Sequence, residues 1–164
     1  MTKPHRIVEV KLDSESIATR SADIEVERHR AISDLLDDNS FRLAAPDAAN
    51  GPYKLHLSLR DGQMLMQVNC TASGYAEEIR LPLSALKRLI HDYTIVCDNF
   101  YKTARAGEMH RLEAIDAGRR SIHDEGAEKL LETLENKVIL DKTTARRLFS
   151  LLYVLHIRST ITTS

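Results

Sequence analysis

Leu112-Glu113-Ala114-Ile115-Asp116-Ala117-Gly118-Arg119-Arg120-Ser121-Ile122-His123-Asp124-Glu125-Gly126 combines a helical apolar repeat with a dense set of charged side chains. Leu112, Ile115 and Ile122 within it, continued by Leu130 and Leu134, recur at the three- and four-residue steps of a helix that buries one side. Arg119 and Gly126 fill the two gaps in that stripe, and the spacing predicts a helix across 108–135. Glu113, Asp116, Arg120 and His123 follow at steps of three, four and three and form a second, polar ridge, which Asp124 extends from Arg120. Gly118 and Gly126 each cost about 1 kcal/mol relative to alanine inside a helix. Close packing is expected at Gly118, whereas a break is the open alternative at Gly126, where weak helix formers precede it.

Outward from this helix, Gly107 closes a short junction to a preceding helix that Ser84 can cap. Its apolar stripe is Leu86, Leu89, Ile90, Tyr93, Cys97, Phe100, Tyr101 and Ala104, and the pair is expected to fold back as a helical hairpin. On the other side, Lys137 to Leu140 is a brief edge strand, and Asp141 caps a last helix with Ala145, Leu148, Phe149, Leu152 and Leu155 on one face, widened by Leu151 and Val154. A face that wide requires cover from two sides or from a second copy of the chain.

The first half reads as sheet. Tyr53, Leu55, Leu57 and Leu59 alternate with polar residues, Asp61-Gly62 supplies a tight hairpin turn, and Met64, Met66 and Val68 return on the same face. Tyr75 to Leu81 adds a strand with Ile79 and Leu81 inward, and Arg6 to Leu12 another with Val8, Val10 and Leu12 on one face. A helix over 23–37, capped by Ser21 or Asp23, and a short strand at Phe41 to Leu43 lie between, before a loop over 44–52. The predicted class is α+β: an antiparallel sheet of about four to five strands packed on three to four helices, with a C-terminal helical hairpin and a final helix.

At 164 residues the chain is read as a single domain over 1–164, with flexible ends at 1–5 and 159–164. A net charge of -1 gives no reason to expect nucleic acid as a partner. Cys70 and Cys97 show no metal-binding spacing and read as buried thiols of a reducing compartment. With no signal-peptide core and no membrane-length apolar run, a cytoplasmic address away from membranes is expected.

The polar ridge is the one candidate site. Its plainest reading is a solvated helix face with intrahelical ion pairs. The sharper reading is an anion pocket in which Arg119 and Arg120 hold a carboxylate or phosphate, joined by His91, while His123 shuttles a proton under the influence of Asp116 or Glu113. Arg119 stands in the apolar stripe, so its guanidinium needs a carboxylate partner or a route to water. No metal site and no cofactor are expected, since no phosphate loop, HExxH, calcium loop or nucleophile elbow occurs.

Gly51-Pro52-Tyr53-Lys54-Leu55-His56-Leu57-Ser58-Leu59, the segment from Ile115 to Gly126 and Thr144-Ala145-Arg146-Arg147-Leu148-Phe149 together resemble uncharacterised protein family 0262 of alphaproteobacteria, from about Val8 to about Tyr153. The resemblance implies a small cytoplasmic bacterial protein and supplies no activity, cofactor or catalytic residue.

Three functions compete. The leading one is a non-enzymatic interaction or regulatory module, a homodimer through the C-terminal helices, motivated by the broad last helix. A small enzyme or anionic-metabolite-binding protein using the ridge is second, and whether the chain is an enzyme stays open. Weak RNA binding through Lys142, Arg146, Arg147 and Arg158, with Tyr53 and Tyr75 as stacking surfaces, is third.

Overall fold

In chain order the elements are β1 (Ile7–Leu12), α1 (Ala22–Asp37), β2 (Phe41–Leu43), β3 (Tyr53–Arg60), β4 (Gln63–Cys70), β5 (Ala76–Pro82), α2 (Lys87–Arg105), α3 (Met109–Thr133), β6 (Val138–Leu140) and α4 (Lys142–Thr163). These come from a computed structural model that describes residues 5–13, 22–45 and 50–163, with backbone alone for 22–24 and 157–163. The expected Ser21 cap, the connection over 14–21, residues 46–49 of the predicted loop and the extreme ends lie outside the described residues. The class is α+β, as expected.

Four strands form one sheet in the order β1-β3-β4-β5. The β3–β4 hairpin closes through Asp61 and Gly62, both at positive φ, and pairs Leu57 with Met66 and Leu55 with Val68, so the large apolar side chains share one face. The sheet is mixed rather than wholly antiparallel, because β1 runs parallel to β3. A chain that leaves β1 and returns through a helix comes back in the same direction, and α1 is that crossover. β1 also breaks the predicted alternation: a register shift between Ile7 and Glu9 buries both Ile7 and Val10 and leaves Val8 exposed. β6 pairs with β2 in a separate two-stranded ribbon instead of extending the sheet.

One sheet face, carrying Lys54, His56, Gln67, Asn69 and Glu78, is exposed. The other meets the helices in a core that includes Tyr53, Leu57, Met66, Leu81, Ile90 and Phe149. α4 is the helix at the centre. It packs on α1, α2, α3 and β3, and every residue from Leu151 to Leu155 is buried. The apolar width that suggested a partner copy is covered within the one chain over this span. α3 packs on α2 and α4 at the outside of the helical layer, and its buried residues, Gly126, Ala127 and Leu130, all fall in its second half.

α3 is continuous through both glycines. A Cβ on Gly118 would meet nothing within 4 Å, while one on Gly126 would meet the Phe149 ring at 2.5 Å. Close packing therefore sits at Gly126, about two helical turns beyond where it was expected, because that is the glycine of α3 that meets Phe149 of α4. The hairpin turn between α2 and α3 is closed by Gly107 at positive φ, with the amides of Gly107 and Glu108 bonding the carbonyls of Ala104 and Thr103. Asp141 caps α4 as predicted, accepting from the Thr144 amide at 2.9 Å. Ser84 does not cap α2. It lies in a 3-10 turn over Leu83–Ala85, and α2 starts after Leu86 with no side-chain cap.

Asn39 joins β1 to the end of α1. Its Oδ1 accepts from the Ile7 amide at 2.6 Å, and its Nδ2 donates to the carbonyls of Ile7 and Leu35 at 3.0 and 2.7 Å. Asn39→Ala is expected to destabilise the protein by about 2–4 kcal/mol, since each half-buried backbone group left without a partner costs about 1–3 kcal/mol. Asn39→Asp should lose nearly as much, because a carboxylate keeps the acceptor and loses both donors. Urea unfolding decides; a loss under about 0.5 kcal/mol for Asn39→Ala would mean that water replaces the amide at no cost.

Candidate functional site

A cleft of about 330 Å³ opens where α1, α3 and α4 converge over the buried ring of Tyr93 from α2. Each bounding helix contributes residues three, four or seven apart: Glu27, Arg30, Ala31 and Asp34 from α1, Arg119, Arg120 and His123 from α3, and Thr143, Arg146, Arg147 and Ser150 from α4. Five arginines thus face one opening against two carboxylates.

Three of those guanidiniums are tied to carboxylates of α3. Arg119 donates to Asp116 through Nε at 3.1 Å and Nη2 at 2.7 Å, and lies 4.7 Å over the Phe100 ring. Burial works against its charge, but the Asp116 hydrogen bond and charge outweigh that and hold it firmly protonated. Arg120 reaches the second oxygen of Asp116 at 3.4 Å, and Arg146 donates to Asp124 at 2.6 Å. The other two differ. Arg147 donates to the neutral carbonyl of Asp38, and Arg30 and Arg147 have no carboxylate partner among the described residues.

His123 is held from both sides. Its Nε2 lies 2.7 Å from the Arg146 carbonyl and 2.9 Å from the Ser150 hydroxyl, and its ring stacks on Tyr93 at 5.5 Å and 19°. A carbonyl only accepts, so Nε2 carries the proton and the lone pair resides on Nδ1. Burial lowers the imidazole below its ordinary value, opposed by the Arg146 carbonyl and reinforced by the charges of Arg119 and Arg146.

That shift has a pH consequence. Because the folded value lies below the unfolded one, the unfolded chain takes the proton first as acid is added. The stabilisation is fully present above the ordinary value near 6.5 and is lost as pH falls through the depressed folded one. Unfolding free energy is expected to decline as pH falls below about 6.5, until the folded imidazole is itself protonated. His156, lowered by burial and by Lys87 and His91, contributes in the same direction. His123→Gln should flatten the slope, and an identical slope in the variant would remove His123 as its source.

Behind the cleft lies a polar group that periodicity did not reveal. Glu27 is buried at 5% exposure and accepts from the Tyr101 hydroxyl. Cys97 sits between Tyr93 and Tyr153, its thiol pushed up to about 11 by burial and then by the Glu27 charge. Neither this thiol nor Cys70, also raised by burial, has thiolate character.

Of the residues singled out from sequence, the structure brings Arg119, Arg120 and His123 to the cleft, with Asp116 as the counter-ion of the two arginines but not a partner of His123. Glu113 is exposed on α3 and does not line it, and His91 is exposed on α2 beside Lys87 and His156. Tyr53 is fully buried and Tyr75 bonds Glu77, so Tyr53 provides no stacking surface for RNA. Among the described residues, no three His, Cys, Asp or Glu side chains converge as a metal-ligating group, and no helix is long and apolar enough to cross a membrane.

Comparison with known proteins places this geometry among relatives. A family model described as "Uncharacterised protein family (UPF0262)" matches residues 4–158. The chain is similar to the UPF0262 protein of Erythrobacter litoralis, 43% identical over 94% of this chain and 98% of that one. It is also similar to those of Sphingopyxis alaskensis, 39% identical over 93% and 94%, and Caulobacter vibrioides, 42% identical over 94% and 94%. No solved structure matches.

Proposed function

The chain belongs to the uncharacterised protein family UPF0262, a name that assigns no chemistry, and from the cleft itself we propose that this protein is a binding module for a small, multiply charged anion of the phosphate or carboxylate class. The observation that carries this reading is the pair Arg30 and Arg147, two guanidiniums with no carboxylate partner among the described residues, facing the same opening as three that are already neutralised. Guanidiniums that outnumber the carboxylates of a concave site favour an anionic guest, and planar guanidinium forks suit its oxygens. The volume suits a metabolite rather than a polymer. A regulatory role fits such a module, since α1, α3 and α4 all bound the cleft and an occupant would tie them together.

The test is thermal denaturation and titration calorimetry of the full chain at low ionic strength with inorganic phosphate, pyrophosphate and citrate, against chloride as control. Ligand at a hundredfold excess over Kd adds about 2.7 kcal/mol of stability, a shift that is readily seen. No response to any of the anions would overturn the reading, and binding only to single-stranded RNA, lost as salt rises, would replace it with the nucleic-acid one.

A further inference from the structure

We propose that His123 is a phosphoryl acceptor: its Nδ1 takes a phosphoryl group from a small activated donor, a phosphoramidate or an acyl phosphate, seated in the arginine cleft. This rests on the anion-binding reading and adds chemistry to it.

Four observations support it. The Nε2 proton is committed to the Arg146 carbonyl at 2.7 Å, which leaves Nδ1 as the free nucleophilic nitrogen. Nδ1 has no hydrogen-bond partner among the described residues and is not one of the wholly buried unpartnered atoms, and His123 lines the cleft. Stacking on Tyr93 at 5.5 Å, with Phe149 at 6.0 Å, clamps the ring and prevents the exchange of its two nitrogens. The arginines lining the same cleft as the ring, Arg30 and Arg147 with no carboxylate partner among the described residues, supply the positive charge that a transferring phosphoryl group requires at its oxygens.

The competing nucleophiles are disarmed. Ser150 stands 2.9 Å from His123, as a serine with its base would, yet that nitrogen already bears a proton and the hydroxyl donates to the Arg146 carbonyl. Cys97 is a buried thiol. Burial keeps the imidazole neutral near pH 7, the form that attacks.

The step balances without a metal or redox partner. The Nδ1 lone pair forms the N–P bond while the P–N bond of phosphoramidate breaks, its electron pair leaving with ammonia whose nitrogen is already fully protonated. With an acyl phosphate the P–O bond breaks and the pair leaves on the carboxylate. The ring becomes a phosphoimidazolium that keeps its Nε2 proton on the Arg146 carbonyl or yields it to water.

The full chain is incubated with potassium phosphoramidate, then followed by intact mass, peptide mapping and phosphorus NMR. One acid-labile, alkali-stable phosphoryl group is expected on His123, with the chemical shift of an Nδ1 adduct, forming at least about tenfold faster in the folded chain than in urea. His123→Gln keeps a donor toward the Arg146 carbonyl and should abolish the adduct; should that variant fail to fold, the mapped position in the natural chain decides instead. Label on exposed His91 or His110, an Nε2 adduct, or equal rates in urea would overturn the proposal. Phosphate bound normally in calorimetry with His123 left unlabelled would overturn it while leaving the anion-binding reading intact.

Discussion

Phe149→Ala is expected to lower the unfolding free energy by about 3–5 kcal/mol, the usual cost of removing a fully buried ring from a junction that cannot collapse. The ring has no exposure, lies edge-on to Tyr93 at 5.4 Å and touches Gly126, so it fixes α2, α3 and α4 at once. The same contact sets the sign of two glycine substitutions. Gly126→Ala drives a Cβ to 2.5 Å from a ring that Tyr93 holds from its other side. Overpacking of this kind costs about 1–3 kcal/mol, against which helix propensity returns about 1 kcal/mol. Gly118→Ala meets open space and should stabilise by up to about 1 kcal/mol. Phe149→Leu combined with Gly126→Ala should be less damaging than the sum of the two, because each relieves what the other disturbs. Urea unfolding of the five chains measures all of this, and a Gly126→Ala protein at least as stable as the parent would refute the wedge.

The opposite signs expected at Gly118 and Gly126 mark how far a one-dimensional pattern reaches. The three- and four-residue steps of Leu112 to Leu134 identified α3 and its polar ridge correctly. They could not say which segment of that helix meets a neighbour, since its first half is half-buried at best and only Gly126, Ala127 and Leu130 are enclosed within the helix. α4, with apolar residues on nearly every side, carried the stronger signal of centrality: a helix without a polar face has neighbours all round. Strand order was hidden for a related reason. Alternation in β3 and β4 shows which side is buried, but direction depends on the connection, and only the intervening α1 requires β1 to run parallel. The bulge at Val8 leaves no trace in composition, because Ile7 and Val8 are adjacent apolar residues and either suits the buried face.

The cleft was legible by thirds. Arg119, Arg120, Asp116 and His123 belong to one helix, so their mutual spacing is local and periodicity finds them. Arg119 in an apolar stripe called for a carboxylate, and Asp116 one turn earlier provides it. Arg30 and Arg147 stand 117 positions apart, each on an unremarkable charged helix face, and nothing local distinguishes them from solvated arginines. The positions 27, 30, 31, 34 on α1 and 143, 146, 147, 150 on α4 do repeat the spacing of Asp116, Arg119, Arg120 and His123 on α3, which is the one signal that pointed to faces able to meet.

Removing those two free charges should produce the largest functional effect in the molecule. A hydrogen bond from a charged donor contributes about 1.5–3 kcal/mol, so Arg30→Gln and Arg147→Gln should each weaken anion binding by about ten- to a hundredfold. Together they should weaken it by at least about a hundredfold. Stability should barely change, because Arg30 is exposed and Arg147 gives up one bond to a neutral carbonyl at the surface. Arg119→Gln separates the two properties in the other direction: it uncovers the Phe100 ring and strands Asp116, so it costs stability along with affinity. Asp116→Asn supplies the opposite sign. It releases Arg119 and Arg120 from their shared counter-ion and should tighten the anion by severalfold at low salt, an advantage that fades as screening rises. Calorimetric titration of phosphate or pyrophosphate into the five variants separates these cases. Equal affinity in the parent and in the Arg30 and Arg147 double variant would mean that the two unpaired guanidiniums do not hold the guest, and the assignment of the cleft would fall with them.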